Sequence, residues 1–181
     1  MTIYLKLLKK GQTMKNLLDL LKDRYSERRF DPDKTVEDEK LELLLEAARV
    51  APTASNRQAF KLYLLKGEKG QAIISNFNAP VHIVISGVAE EAWVRKQDSF
   101  NACELDIGIV GTHIMLEAED LGLKTCMICA FDVTELQAGL NLPEEEYPIL
   151  ALAVGYPSEA SRPAKKHTER KSLEDLVTVI E

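Results

Sequence analysis

The segment "RYSER" sets Arg24, Ser26 and Arg28 at alternate positions, two forked cations bracketing a hydroxyl. Guanidinium forks match the geometry of phosphate oxygens, so the trio suits bidentate binding of an anion. With Asp23, Glu27 and Arg29 adjacent, spacing alone favours a solvated basic patch. A second basic run, "RPAKKHTERK", stands just before a helix-like ending, where Arg170 would join backbone N–H groups and a helix dipole at an anion. Its alternative is an exposed charged loop. "CMIC" brings Cys126 and Cys129 close, but residues three apart in a strand point to opposite faces. A structural zinc site also needs a second ligand pair, which Cys103, His82, His113 and His167 do not offer. No metal is expected. There is no Walker loop, no G-x-G-x-x-G and no nucleophile elbow. Without a grouped acid, base and nucleophile, the chain is either a binding module or an enzyme whose chemistry a cofactor carries.

These residues need elements to position them. "MKNLLDLLKD" reads as a first helix opening at Met14, with residues 1–13 as an extension outside the domain. That extension has an apolar patch too short for a signal sequence and no small-residue cleavage site. Thr35 and Asp38 form a capping-box pattern that predicts a helix start, and Leu41, Leu44, Leu45 and Ala48 follow at helical spacing until Pro52. "AFKLYLLKG" reads as a strand, "KGQAIISN" as a small helix, and the apolar, β-branched "PVHIVISGVA" as a central strand covered on both faces. A core helix is predicted over 98–120, with Phe100, Cys103, Ile107, Val110 and Ile114 on one stripe and Gly108 and Gly111 open to close approach. "KTCMICAF" and "ILALAVGYP" read as further strands. Asp132 with Glu135 caps a short helix, and Ser172 with Asp175 caps a closing one, "SLEDLVTVIE". Helices and strands without strict alternation give an α+β layered domain.

Composition narrows the function classes. The chain has 181 residues, 45% of them hydrophobic, which can bury one substantial core over 14–181. A net charge of −6 argues against general nucleic-acid binding, which needs excess positive charge, and nothing predicts a membrane span. Three cysteines in apolar surroundings suit reduced thiols and a cytoplasmic location.

One stretch resists a purely structural reading. "APTASNRQAF", residues 51–60, separates a helix from a strand, yet it is too long and too polar for a simple turn. Together, "RYSERRFDP", a helix, and "AARVAPTASNRQAFKLYLL" resemble the opening of the flavin-dependent nitroreductase family, commonly R-x-S-x-R followed by A-P-S-x-x-N-x-Q-P-W. "ELDIGIVGTHIMLEAEDLGLKTCMICAFD" resembles that family's core helix, L-G-L turn and flavin-side strand. "LALAVGYPSE" and "ERKSLEDLV" resemble its closing strand and C-terminal phosphate-binding arginine. The likeness spans about residues 14–178.

The resemblance implies a central, mostly antiparallel sheet flanked by helices, and a homodimer holding FMN at its interface. It assigns Arg24, Tyr25 and Ser26 to the phosphate and ribityl chain, and Arg28 to the N1 and C2-carbonyl side of the flavin. Pro52, Thr53, Ala54, Asn56 and Gln58 become a loop that one subunit extends toward its partner's flavin. Cys129 and Ala130 match the strand whose backbone N–H reaches flavin N5. Arg170 matches the phosphate arginine, with Lys166 or His167 beside it. The implied activity is FMN-dependent transfer of hydride from NADPH or NADH to nitroaromatics, quinones or similar small acceptors. The alternative is a flavin-storing or redox-reporting protein with little turnover. The chain departs from the family pattern where Ala59 and Phe60 replace Pro-Trp, and where "GVAEEAWVRKQDSF" is short, with Trp93 as either a remnant lid or simple packing.

Overall fold

A computed structural model describes residues 16–181, so the expected extension over 1–13 lies outside the described residues. Four strands form the main sheet: β1 (Phe60–Lys66), β2 (Val81–Val88), β5 (Lys124–Ile128) and β6 (Glu146–Gly155), in the order β1-β2-β6-β5. All three pairings are antiparallel, as the family resemblance implied. β2 is buried along its whole length and lies inside the sheet, consistent with its unbroken apolar run.

Side-chain alternation splits the core into two layers. Val81, Ile83 and Ile85 of β2, with Leu150, Leu152 and Val154 of β6, pack beneath helices α2 (Asp38–Arg49) and α4 (Cys103–Asp120). Val84, Ala151, Ala153, Cys126 and Ile128 face the opposite way, toward Ile74, Leu136 and Phe30. This second layer is roofed by α3 (Gly67–Ile73) and α5 (Val133–Leu140). In α4, Cys103, Ile107, Val110 and Ile114 are buried on one stripe. The two glycines differ. A Cβ on Gly111 would collide with Leu150, whereas one on Gly108 would meet nothing within 4 Å. Gly111 therefore lets α4 approach the sheet, and Gly108 faces outward.

Several boundaries differ from the sequence reading. α1 is Leu17–Asp23, capped by Asn16, whose side chain accepts from the Asp19 N–H. α2 begins at Asp38 with Glu37 in the cap position, so Thr35 is not its cap. The 98–102 stretch is not helical. Phe100 sits in a small hairpin, β3 (Val94–Arg95) with β4 (Phe100–Asn101), and is 40% exposed. The Arg95–Asp98 ion pair and the Arg95 guanidinium over the Phe100 ring at 4.9 Å bind this hairpin locally, which overrides the helical spacing. The C-terminal helix α6 is only Leu173–Leu176. Ser172 does cap it, accepting from the Asp175 N–H, and Asp132 caps α5 likewise through Glu135. Beyond α6, Val177, Val179 and Ile180 are exposed, so no packing supports further turns.

Candidate functional site

The "RYSER" segment emerges from α1 and runs along the outer edge of β5. Ser26 bridges Thr125 in parallel, and the Glu27 N–H donates to the Thr125 carbonyl at 2.9 Å. Phe30 makes a second bridge, to Pro157. These pairings pin an otherwise irregular segment to the sheet and fix where its alternating side chains point.

Opposite it lies the chain's second basic run. Arg24, Tyr25, Ser26, Arg28, Ala164, Lys166, His167 and Arg170 line one cleft of about 250 Å³. Residues some 140 positions apart in sequence thus meet, and they are the two basic clusters singled out from the sequence. The far wall is tied down at named points. His167 donates from Nε2 to the Lys22 carbonyl at 3.1 Å and meets the Tyr25 ring edge-on at 6.0 Å. The Lys124 ammonium lies 4.4 Å from the centre of the same Tyr25 ring. Arg28 lies 6.0 Å from the Phe77 ring, a neighbour the sequence gave no reason to expect. Arg170 donates to the Glu169 carbonyl at 2.7 Å. Three guanidinium or ammonium groups of a chain with net charge −6 therefore converge with a fourth on one small concavity. A concentrated positive field of this kind attracts a multiply charged anion.

Cys129 and Ala130 follow directly on the last residue of β5, and both are exposed. β5 is an edge strand, so beyond the Ser26 bridge its outer N–H groups face away from the sheet. At this end of the strand a cavity of about 560 Å³ opens, lined by Ile107, Gly108, Met127, Cys129, Phe131, Tyr147 and Leu150 among others. It is largely apolar. From Thr125 at the cleft to Cys129 at the cavity is four residues of extended chain, or roughly 13 Å. Burial pushes the Cys126 thiol up, with Arg28 partly opposing, so this cysteine is a core group rather than a nucleophile.

The polar loop sits elsewhere. Pro52 to Gln58 lead into β1, at the sheet edge opposite β5. A 3-10 turn covers Ala54–Asn56, and Ser55, Asn56 and Gln58 all hold positive φ (51°, 52° and 53°). Non-glycine residues take that conformation only when their surroundings impose it. Two contacts do so: Asp106 of α4 accepts the Ala54 N–H at 3.0 Å, and Thr53 Oγ1 accepts the Gln58 N–H at 3.1 Å. Asp106 is 3% exposed, and its Oδ2 is buried with no hydrogen-bond partner among the described residues. Asn56, Arg57 and Gln58 are exposed. One subunit therefore does not bring this loop to the basic cleft. Trp93 is half-buried, and its carbonyl accepts the Ala102 N–H at the base of the hairpin.

Sequence reasoning passed over three groups. Asp106 and Phe77 carry no local signal, because their partners are distant in sequence. Glu27 did have one: an acid embedded among arginines, read only as part of a solvated patch.

An edge strand with a cationic cleft at one end and an apolar cavity at the other is the site that this α+β fold presents. Comparison with known proteins agrees with that fold. A sequence profile described as the nitroreductase family matches residues 21–77 and 75–156. A solved nitroreductase family protein from Clostridium difficile 630 is 34% identical, with a TM-score of 0.83 over 91% of this chain and 98% of that one. A nitroreductase from Exiguobacterium sibiricum, solved in complex with FMN, shares the fold at a TM-score of 0.78 and 19% identity, over 93% and 99% of the two chains. A Staphylococcus haemolyticus protein named NADPH-dependent oxidoreductase is 26% identical over 82% of this chain and 67% of its own length. The chain belongs to the nitroreductase family, and its class is that of an oxidoreductase.

Proposed function

We propose that this chain is an FMN-dependent NAD(P)H oxidoreductase that works as a homodimer, with residues 14–181 acting as one domain and small oxidised molecules, nitroaromatics or quinones among them, as acceptors. The observation that carries this reading is the meeting of residues 24–28 with residues 164–170 in one basic cleft beside β5. The donor set fits the group: Arg24, Ser26, Lys166 and Arg170 suit a phosphate dianion, and the apolar cavity past Ile128 suits a planar ring system.

When bound, FMN supplies the capacity to accept a hydride from a nicotinamide and to pass the electrons on. The protein's own part is binding and electrostatics. The Arg28 guanidinium would hold fixed positive charge beside the ring and so would favour its reduced, more negative form. The exposed edge at Cys129 and Ala130 offers backbone N–H donors. No side-chain nucleophile is required, so donor and acceptor use one pocket in turn, and parallel double-reciprocal plots are expected.

The dimer rests on two further features. The loop and the cleft lie at opposite edges of the sheet, so a site that uses both draws them from two subunits. α4 also presents an outward stripe of Leu105, Gly108, Ile109, Thr112, His113 and Leu116, with Leu105 56% exposed on the most deeply packed helix of the fold. An apolar stripe of this kind marks an interface. No helix among the described residues is long and apolar enough to cross a membrane, which accords with a cytoplasmic enzyme.

Turnover separates this function from flavin storage. Anaerobic NADPH or NADH should bleach the flavin absorbance within seconds, and menadione or a nitrobenzene should restore it. Bleaching slower than minutes with both nicotinamides would favour the storage reading.

A further inference from the structure

The Glu27 side chain is 1% exposed, although it lies within the most basic segment of the protein. Its Oε1 accepts the backbone N–H groups of Arg28 (2.9 Å) and Arg29 (2.7 Å), which curls the chain so that the arginines on either side are presented outward. Its Oε2 accepts the Ser161 hydroxyl, which in turn lies 2.7 Å from the Tyr25 hydroxyl. Because the Ser161 proton goes to the carboxylate, Tyr25 is the donor to Ser161. Ser161 belongs to the turn that opens the second basic wall, where its own N–H donates to the Ser158 carbonyl. Two further bonds close the same seam: Ser158 N–H to the Arg29 carbonyl at 2.9 Å, and Arg29 Nη1 to the Ala160 carbonyl at 3.0 Å.

We propose that Glu27 and Ser161 form a clasp that sets the spacing between the two walls of the anion cleft, so that Glu27 is a positioning residue for phosphate recognition. This rests on the reading of that cleft as the FMN phosphate site. A buried carboxylate is costly unless its oxygens are satisfied, and here three donors from both walls satisfy it. Its charge is spent within the seam and does not face the anion. Without the clasp, Ala164–Arg170 keep their charges and the His167–Lys22 bond but lose the anchor at the start of their wall that helps fix their distance from Arg24 and Arg28. Recognition of phosphate should then weaken while contacts to the rest of the cofactor persist.

FMN and riboflavin differ only in that phosphate, so the ratio of their affinities reads the cleft alone. Titration of the full-length apoprotein with each, followed by flavin fluorescence, tests the clasp. The parent should bind FMN far more tightly than riboflavin. Ser161→Ala and Glu27→Ala should each cut FMN affinity roughly tenfold, the size of one lost charge-assisted hydrogen bond, while riboflavin affinity stays within about twofold. Glu27→Gln keeps acceptors for both N–H groups, and Ser161 can rotate to accept from its amide, so this variant should retain most of the preference. If Glu27→Ala does not fold, Ser161→Ala decides alone, since it leaves the Glu27 turn intact. An unchanged FMN-to-riboflavin ratio in Ser161→Ala, or parallel loss of both ligands, overturns the clasp. A parent that does not discriminate between the two ligands overturns the phosphate site itself, and the clasp with it.

Discussion

At the scale of single residues, the chemistry rests on where fixed positive charge is held. Arg24 lines the cleft from the end of α1, and removing it should weaken FMN binding by about 1.5 to 3 kcal/mol, the range for a hydrogen bond to a charged group. Unchanged affinity of Arg24→Ala in a flavin titration would mark it as a surface charge. Arg28→Gln keeps hydrogen-bonding capacity but not charge, so oxidised FMN should still bind while the midpoint potential falls. A differential loss of about 1.4 to 2.8 kcal/mol would slow reduction by the nicotinamide roughly ten- to a hundredfold. Arg28→Lys should recover part of that rate, and a parental potential in Arg28→Gln would contradict the assigned role. Arg24, Arg28 and Arg170 were legible in the sequence as two basic clusters, whose meeting in one cleft only the family resemblance implied. Glu27, Ser161, Asp106 and Phe77 were not, because their meaning lies in partners 49 to 134 positions away.

At the scale of elements, hydrophobic patterning located every strand of the main sheet and the two longest helices, since burial is what selects those residues, while the Asp132 cap located α5. Patterning failed over 94–101, where an arginine-aspartate pair bends the chain into a hairpin. The left-handed residues Ser55, Asn56 and Gln58 carried no signal of their own, and their loop was visible as a length of polar chain that only the family resemblance explained. Its strain predicts that Asp106→Ala, which abolishes the acceptor for the Ala54 N–H, should destabilise the protein by about 1 to 3 kcal/mol and speed amide exchange through 53–58 above other loops. Asp106→Asn should leave the loop protected, and equal exchange in parent and Ala variant would remove Asp106 as its anchor. A second element-level prediction concerns His82, buried in β2 and contacting the Asn76 carbonyl at 3.1 Å. Burial holds its imidazole below the ordinary value near 6.5. The unfolded chain therefore binds the extra proton first, so its contribution to stability is present above pH 6.5 and is lost as pH falls below it. Denaturant unfolding at pH 7.5 and 5.5 should show a steeper loss for the parent than for His82→Asn, and parallel losses would rule this contribution out.

At the scale of the whole molecule, the surface left uncovered is as informative as the core. The outward stripe of α4, the exposed loop over 56–58 and the apolar C-terminal residues, with Ile180 92% exposed, all suit burial against a second copy. Sedimentation equilibrium should give a dimer with no populated monomer at micromolar concentration, because interfaces of this apolar kind are large and obligate. Leu105→Glu together with Ile109→Glu should yield monomers that no longer retain flavin. The sequence pointed to a dimer only through family resemblance, since no single segment announces which face of a helix meets solvent.

The central claim is that the cleft of Arg24, Ser26, Arg28, Lys166 and Arg170 holds FMN in a dimer. The most direct measurement is the flavin content of the purified protein, before and after incubation with excess FMN and gel filtration. About one FMN per subunit, co-eluting with the dimer and absent from an Arg24→Ala, Arg170→Ala double variant, is the predicted result. A colourless protein that takes up no FMN, or a double variant that keeps a full complement, would contradict it.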